Sequence, residues 1–185
     1  MLYLFVGQVR SGKTCSVVNE VKKFFDEGYT IYSNTKLSFN YRPLTRKMIL
    51  EWEKNEIDMP PKTVFLISEL GAWFDSRNSQ NSNNKCFSYF INQLGKFTDD
   101  KSKGLTIVSD TQFFSNIDIR GRRVCKYIIE CKKVNEVVGE YIEVVRKWKI
   151  NNNLVLKTFK IEKVRFTKED FNLYDTQARV VSEIN

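Results

Sequence analysis

The stretch Leu2-Tyr3-Leu4-Phe5-Val6-Gly7-Gln8-Val9-Arg10-Ser11-Gly12-Lys13-Thr14 decides how the rest of the chain is read. Residues 2–6 are a short apolar run ending on a glycine, as expected of a strand buried on both faces of a parallel sheet. Beyond Gly12, the apolar residues Val17, Val18, Val21, Phe24 and Phe25 recur at helical spacing, and Gly28 stands where a helix end takes a left-handed residue. Between strand and helix, residues 7–14 match G-x-x-x-x-G-K-[ST]. A chance match in a chain of 185 residues is on the order of one per cent. Each position has a chemical reason. The glycines let the backbone curl so that successive amides face phosphate oxygens, and the helix N-terminus adds partial positive charge. Lys13 is placed to bridge β- and γ-phosphates, and the Thr14 hydroxyl to ligate Mg²⁺. Gly7, Gln8, Val9, Arg10, Ser11, Gly12, Lys13, Thr14 and the following Cys15 are therefore the expected site for ATP and Mg²⁺.

Outward from this loop the chain alternates strand and helix. Thr30-Ile31-Tyr32-Ser33 reads as a strand. Thr45 is a cap for a helix running through Met48, Ile49 and Trp52, which Pro60-Pro61 ends. Val64-Phe65-Leu66-Ile67 is the most strand-like run in the chain. Residues 76–84 (SRNSQNSNN) are polar and read as a mobile loop. Phe87, Phe90, Ile91 and Leu94 mark one face of a helix, and Gly104 closes that stretch. Leu105-Thr106-Ile107-Val108 and Tyr127-Ile128-Ile129 are further strands. This alternation predicts an α/β fold with a mostly parallel sheet flanked by helices. In the last third, residues 141–150 and 154–166 are strand-like around Asn151-Asn152-Asn153, an antiparallel hairpin appended to the same sheet. The expectation is one domain over residues 1–185, with a nucleotide-binding core at 1–135 and the hairpin and tail at 136–185.

Composition narrows the function classes. A hydrophobic fraction of 42%, a charged fraction of 28% and a mean hydropathy of −0.40 argue against a disordered chain or a fibre. No apolar run approaches the ~20 residues that a membrane span needs, and no basic segment precedes the first apolar run, so the start reads as a strand rather than a signal peptide. Histidine is absent, which excludes a His-based dyad or His metal ligand. Cys15, Cys86, Cys125 and Cys131 form no CxxC pair, so reduced thiols in a cytoplasmic protein are expected. The net charge of +8 and pI near 9.3 suit a polyanion such as nucleic acid or acidic lipid, or serve solubility alone.

The run 64–67 leads into Ser68-Glu69. In many ATPases such a strand ends in Asp-Glu, the Asp holding the hydration shell of Mg²⁺ and the Glu polarising the attacking water. Glu69 takes the water-activating position, or is a surface residue at a strand end. Ser68 replaces the Asp: it can hydrogen-bond a metal-bound water but adds no charge, which predicts slower turnover or weaker Mg²⁺ affinity. The strand at 29–33 lies between the two motifs in sequence, as fits ATPases with an inserted strand. The run 105–108 leads into Ser109-Asp110-Thr111-Gln112, where Gln112 or Thr111 can sense the γ-phosphate at the carboxyl edge of the sheet. Arg120, Arg122 and Arg123 follow on a glycine-bearing turn. They suit a trans arginine finger or, for Arg122 and Arg123, phosphate contacts to nucleic acid, or else a solvated charge cluster. Arg77 is another finger candidate.

These motifs occur in a familiar order. The loop is followed by strand, Glu69, then Trp73-Phe74-Asp75-Ser76-Arg77, a helix ending in Gln93-Leu94-Gly95-Lys96, strand-Ser-x-Thr-Gln, Ile117-Asp118-x-Arg120-x-Arg122 and Leu173-Tyr174-Asp175-Thr176. The series resembles zonula occludens toxin-like (Zot-like) ATPases of filamentous phages and related archaeal virus and plasmid ATPases, within the FtsK/HerA group of DNA-pumping motors. The resemblance implies a RecA-like P-loop NTPase domain working as a homo-oligomeric ring, often a hexamer. Such a ring uses ATP to move DNA into or out of a particle in the host cytoplasm, with capsid or virion proteins as partners. It implies that Lys13 and Thr14 bind nucleotide and Mg²⁺, Glu69 activates water, Gln112 is a sensor and an arginine reaches the neighbouring subunit. Two departures stand out: Ser68 in place of Asp, and no membrane segment after the ATPase domain, which favours the soluble packaging-type relatives. Two other readings remain open: a small nucleotide kinase, and a nucleotide-gated adaptor with weak hydrolysis.

Overall fold

The computed structural model describes residues 1–54, 59–60, 62–78, 82–92, 94 and 105–175. The apolar run before the glycine loop is strand β1 (Leu2–Val6). Its residues serve two layers: Leu2 and Leu4 join the core on one face of the sheet, Phe5 the core on the other. The other strands are β2 (Thr30–Ser33), β3 (Arg42–Pro43), β4 (Thr63–Ile67), β5 (Thr106–Thr111), β6 (Tyr127–Val137), β7 (Tyr141–Asn152) and β8 (Val155–Thr167). They form one eight-stranded sheet in the order β3-β2-β4-β5-β1-β6-β7-β8. The pairs from β3 through β6 are parallel and the last two pairs antiparallel. The expected α/β architecture with an antiparallel C-terminal appendage is what the chain adopts.

Helix α1 (Lys13–Asp26) covers one face, burying Val17, Val18 and Val21. It ends as its sequence predicts: Gly28 has φ +82°, its N–H bonds to Phe25 O and that of Tyr29 to Phe24 O, closing the last turn. Helix α2 (Arg46–Lys54) is capped by Thr45, whose hydroxyl accepts from Met48 N at 3.2 Å. With α3 (Leu70–Trp73), α4 (Ser82–Asn92) and α5 (Ile119–Val124) it lies on the opposite face, over a core that includes Phe65, Phe74, Phe87 and Phe90. Fully burying such a side chain contributes about 1.5–3 kcal/mol. A final short helix, α6 (Lys168–Phe171), packs on the α1 face.

Three sequence readings are corrected. The strand inserted between the two nucleotide motifs is not the one between them in sequence: β2 lies beyond β4, and β5 separates β1 from β4. The polar stretch 76–84 is not one loop. Residues 76–78 form a 3₁₀ turn and α4 begins at Ser82, while 79–81 lie outside the described residues. Asn84 makes polarity compatible with burial there: its amide donates to Asp75 O at 2.8 Å and its carbonyl accepts from Arg46 at 3.3 Å. The C-terminal appendage is larger than one hairpin, because β6 runs on to Val137 and pairs with β7. Residues 132–136 are unreadable as strand from sequence because they are mostly charged or polar and project from the core. Gln93, Gly95, Lys96, Gly104 and Thr176, named in the sequence motifs, lie outside the described residues.

The β7–β8 turn explains the asparagine triplet. Asn153 and Leu154 have φ +50° and +72°, and the Asn151 side chain accepts from Leu154 N while donating to Arg122 O and Cys125 O. Higher on the same strands, Glu143 accepts from Lys163, Arg165 and Asn135 at 2.7, 3.0 and 3.2 Å. These donors, Lys163 first, hold its carboxyl down to about 2. A depressed carboxylate stabilises above its unfolded pKa and loses that contribution as pH falls through the folded value. Glu143→Gln is therefore expected to lower the melting temperature at pH 7, with the gap to the unaltered protein shrinking below pH ~4.5 and vanishing near pH 2. On the other face, a Cβ on Gly121 would lie 2.2 Å from Cε1 of the fully buried Phe74. Gly121→Ala should destabilise by about 1–3 kcal/mol despite its better helix propensity, seen as a lower urea midpoint at unchanged slope.

Candidate active site

Parallel order brings the carboxyl ends of β1, β5 and β4 side by side, and loops leaving such ends gather around ligands. The loop after β1 is tightly wrapped. A Cβ on Gly7 would stand 2.4 Å from Ser11 Oγ and 2.7 Å from Cys131 O. Gly12 has φ +81°, and a Cβ there would meet Val144 Cγ2 at 2.4 Å, so glycine is what lets β7 lie over the loop. Helix α1 starts at once, with no side-chain cap at its N-terminus and no acidic residue in its first turn. Its leading amides are left to whatever anion occupies the cleft. Lys13 is 6% exposed, and the buried Ser11 hydroxyl has no partner among the described residues.

The end of β4 is organised by a residue that motif reading passes over. Asp110, at 0% exposure on β5, accepts from three places at once. Ser68 Oγ and Glu69 N donate to its Oδ1 at 3.1 and 2.8 Å, and Thr14 Oγ1 donates to its Oδ2 at 3.2 Å. Ser68 is fixed from the other side by Asn34, which accepts from Ser68 N and donates to Ser68 O at 2.8 and 3.1 Å. Ser109 Oγ bonds to Ile67 O, tying β5 to β4. Glu69 then turns into α3 with φ +56°, a left-handed conformation that is costly for a side chain with a Cβ. Burial pushes the Asp110 carboxyl up, opposed by the Glu69 N–H, Lys13, Ser68 and Thr14. Burial also raises Glu69, with Asp110 adding to the rise and Lys13 opposing it. A signal is present in the sequence: an acid at the end of the apolar β5 run, one strand away from a serine standing where an acid is usual.

Two clefts meet at Glu69. The first, of about 550 Å³, is walled by the loop residues Arg10 to Cys15, Ser68 and Glu69. The tip of the β6–β7 hairpin and Phe171, Tyr174 and Asp175 close it, a wall for which no local sequence signal exists. Gly7, Gln8 and Val9 line a neighbouring depression with Arg10 and Ser11. The second cleft, of about 390 Å³, holds Thr111, Gln112 and Arg77 beside Glu69. Gln112 and Arg77 thus share a cleft with Glu69. Arg77 is bidentate to Asp75 of its own chain while its side chain is 86% exposed. Arg120, Arg122 and Arg123 line neither cleft. Arg120 pairs with Asp118 at 2.9 Å, and Arg122 lies over Phe114. Helix α5 carries Arg122 and Arg123 toward the opposite edge of the sheet, where Lys126 N bonds to Leu2 O at the start of β1.

The donor set suits a hard cation that keeps part of its water: hydroxyls of Thr14 and Ser68 and carboxylates of Glu69 and Asp110, all oxygen. Mg²⁺ is commonly held by one or two protein groups plus substrate phosphates, so these residues fit it. Among the described residues no helix is long and apolar enough to cross a membrane.

The model of the Zonular occludens toxin (Zot) family matches residues 1–180. Among solved structures, the chain is similar to the N-terminal domain of zonular occludens toxin from Neisseria meningitidis, at TM-score 0.58 and 16% identity over 94% of this chain and 98% of that one. It is similar to a second solved ATPase domain, at TM-score 0.54 and 12% identity over 94% and 84% of the two chains. It is also similar to B204, the DNA-packaging ATPase of Sulfolobus turreted icosahedral virus, at TM-score 0.52 and 13% identity over 86% and 96%. No curated protein sequence matches the chain.

The four cysteines are unbridged. Burial pushes the Cys15 and Cys131 thiols up to about 12 and raises Cys125 as well. A thiol-titrating disulfide reagent at pH 8 should therefore modify the half-buried Cys86 at most in the folded protein, and all four thiols after unfolding.

Proposed function

The chain belongs to the Zot family, and from that premise we propose that it is a Mg²⁺-dependent ATPase motor, assembled as a ring that translocates or packages viral or plasmid DNA. The observation that carries this reading is Lys13 and Glu69 lining one cleft beneath an α1 N-terminus that no side chain caps. The glycine-loop amides cradle the phosphates, and Lys13 neutralises charge that develops between the β- and γ-phosphates. Thr14, with Ser68 through water, holds Mg²⁺, which supplies charge neutralisation on the phosphate oxygens when bound. Glu69 accepts a proton from a water that attacks the γ-phosphorus as the bond to the β-phosphate oxygen breaks, and ADP leaves with the electron pair. The raised carboxyl of Glu69 suits a group that takes up a proton. Gln112, at the far side of Glu69, orients that water. A neighbouring subunit's Arg77 or Arg120 then completes the site through the second cleft. Arg122 and Arg123, toward the opposite sheet edge, suit DNA phosphates. A packaging role follows the activity named for B204, and the basic charge of the chain supports a polyanionic cargo. Unbridged thiols support a reducing cytoplasmic setting.

Steady-state ATP hydrolysis with Mg²⁺, with and without duplex DNA, tests the proposal. DNA-stimulated turnover is expected in the unaltered protein. Lys13→Ala should abolish it, and Glu69→Gln should reduce it by about 10²–10⁴-fold while retaining nucleotide binding. Tight ATP binding without turnover would favour the nucleotide-gated adaptor, and turnover only with a phosphate acceptor would favour a kinase.

A further inference from the structure

We propose that Asp110 supplies the negative charge that the end of β4 lacks: the carboxylate serving the Mg²⁺ shell has moved one strand over, from the Ser68 position on β4 to β5. The inference rests on the nucleotide reading above and concerns the metal half of that site.

A nucleotide-bound Mg²⁺ needs an acid close to the threonine of the glycine loop. Asp110 Oδ2 accepts from that hydroxyl, Thr14 Oγ1, at 3.2 Å. Ser68, at the position usually acidic, gives its own proton to Asp110 Oδ1 at 3.1 Å and so keeps its oxygen lone pairs free for a water. The acid and the serine therefore work as one unit, with the charge on one strand and a water-accepting oxygen on the next. The β5 backbone fixes this placement. Ile67 is in register with Ser109, so the residue after each, Ser68 and Asp110, meets the other at the carboxyl edge.

A structural role alone does not require a charge here. An asparagine at position 110 can reproduce all three hydrogen bonds, its carbonyl accepting from Ser68 and Glu69 and its amide donating to Thr14 Oγ1. The chain instead buries a carboxylate among three neutral donors, an arrangement that is costly unless a cation completes it. Lys13 contributes to that compensation, and it is also the group that meets the phosphates.

The test uses Asp110→Asn, the exchange variant Ser68→Asp/Asp110→Asn and the unaltered protein, reading the affinity for a fluorescent ATP analogue as Mg²⁺ is titrated from an EDTA baseline. Thermal melting is followed in parallel. In the unaltered protein Mg²⁺ should tighten binding. In Asp110→Asn the half-saturating Mg²⁺ should rise by about 10- to 100-fold, with analogue binding in EDTA retained. The exchange variant should return to within about threefold of the unaltered protein. Asp110→Asn that melts normally and needs no more Mg²⁺ would overturn the proposal and leave the nucleotide site standing. If Asp110→Asn does not fold, the exchange variant decides alone: restored Mg²⁺ dependence supports the relocation, and a folded exchange variant indifferent to Mg²⁺ overturns it. An unaltered protein that binds no analogue, with or without Mg²⁺, would overturn both this inference and the reading on which it rests.

Discussion

The insertion of β5 between β1 and β4 is the constraint on which the site depends. The glycine loop leaves one strand and the Ser68-Glu69 pair leaves another, with a full strand between them. Without a group on β5 to join them, the two loops would have no direct connection at the carboxyl edge. Asp110 is that group, and its two oxygens divide the work: Oδ2 faces α1 through Thr14, and Oδ1 faces the end of β4 through Ser68 and the Glu69 amide. The left-handed turn at Glu69 persists because its own N–H is held there. One buried side chain therefore sets the position of the phosphate-facing helix relative to the carboxylate that faces water. Asn34 extends the clamp to β2, so four strands contribute to a geometry that any one of them would leave loose.

The antiparallel appendage is part of the same construction. Val144 on β7 lies where a side chain on Gly12 would be, so the glycine serves two purposes, the curl of the loop and the approach of the meander. The β6–β7 tip and the segment around Tyr174 then wall the cleft alongside the loop. The wall is stiffened by charges that meet across strands: Arg146 with Glu162 at 2.6 Å, and Glu143 with Lys163 and Arg165. Strand-to-strand ion pairs of this kind contribute modestly in water, but they fix which face of a polar hairpin turns inward.

Much of this is legible in the sequence, for definable reasons. The loop motif, the run 64–67 and the helix after Gly12 rest on local rules, apolar periodicity and glycine conformation, which neighbouring residues decide. Gly28 and Thr45 behave as their positions predict. The failures are non-local. That β5 rather than β2 fills the gap between the motifs depends on strand order, which sequence spacing does not encode. Residues 132–137 form strand because β7 pairs with them, not because they alternate. Ser82 to Asn84 are helical because Asn84 finds Asp75 and Arg46, partners 9 and 38 residues away. Asp110 escapes motif reading because the motif directs attention to the end of β4, whereas its role comes from a register shared with that strand.

Charge balance links the two clefts. Asp110 and Glu69 sit together in a low-dielectric interior, where burial raises both carboxyls and the Asp110 charge adds to the rise at Glu69. Lys13 opposes both, and it stands at the same time over the place that the loop amides reserve for phosphate. A polyphosphate entering alone would draw on Lys13 and leave the two acids less compensated. A polyphosphate entering with its own divalent cation leaves the balance intact, since the cation meets the acids while Lys13 meets the phosphates. On the proposed reading, the cleft thus discriminates between free nucleotide and its metal complex by electrostatics alone. Arg77 lies outside that balance, neutralised by Asp75 within its own chain yet exposed at the rim of the second cleft. Its charge reaches another site only by exchanging that carboxylate for a stronger anionic partner, which ties its use to assembly rather than to the isolated chain.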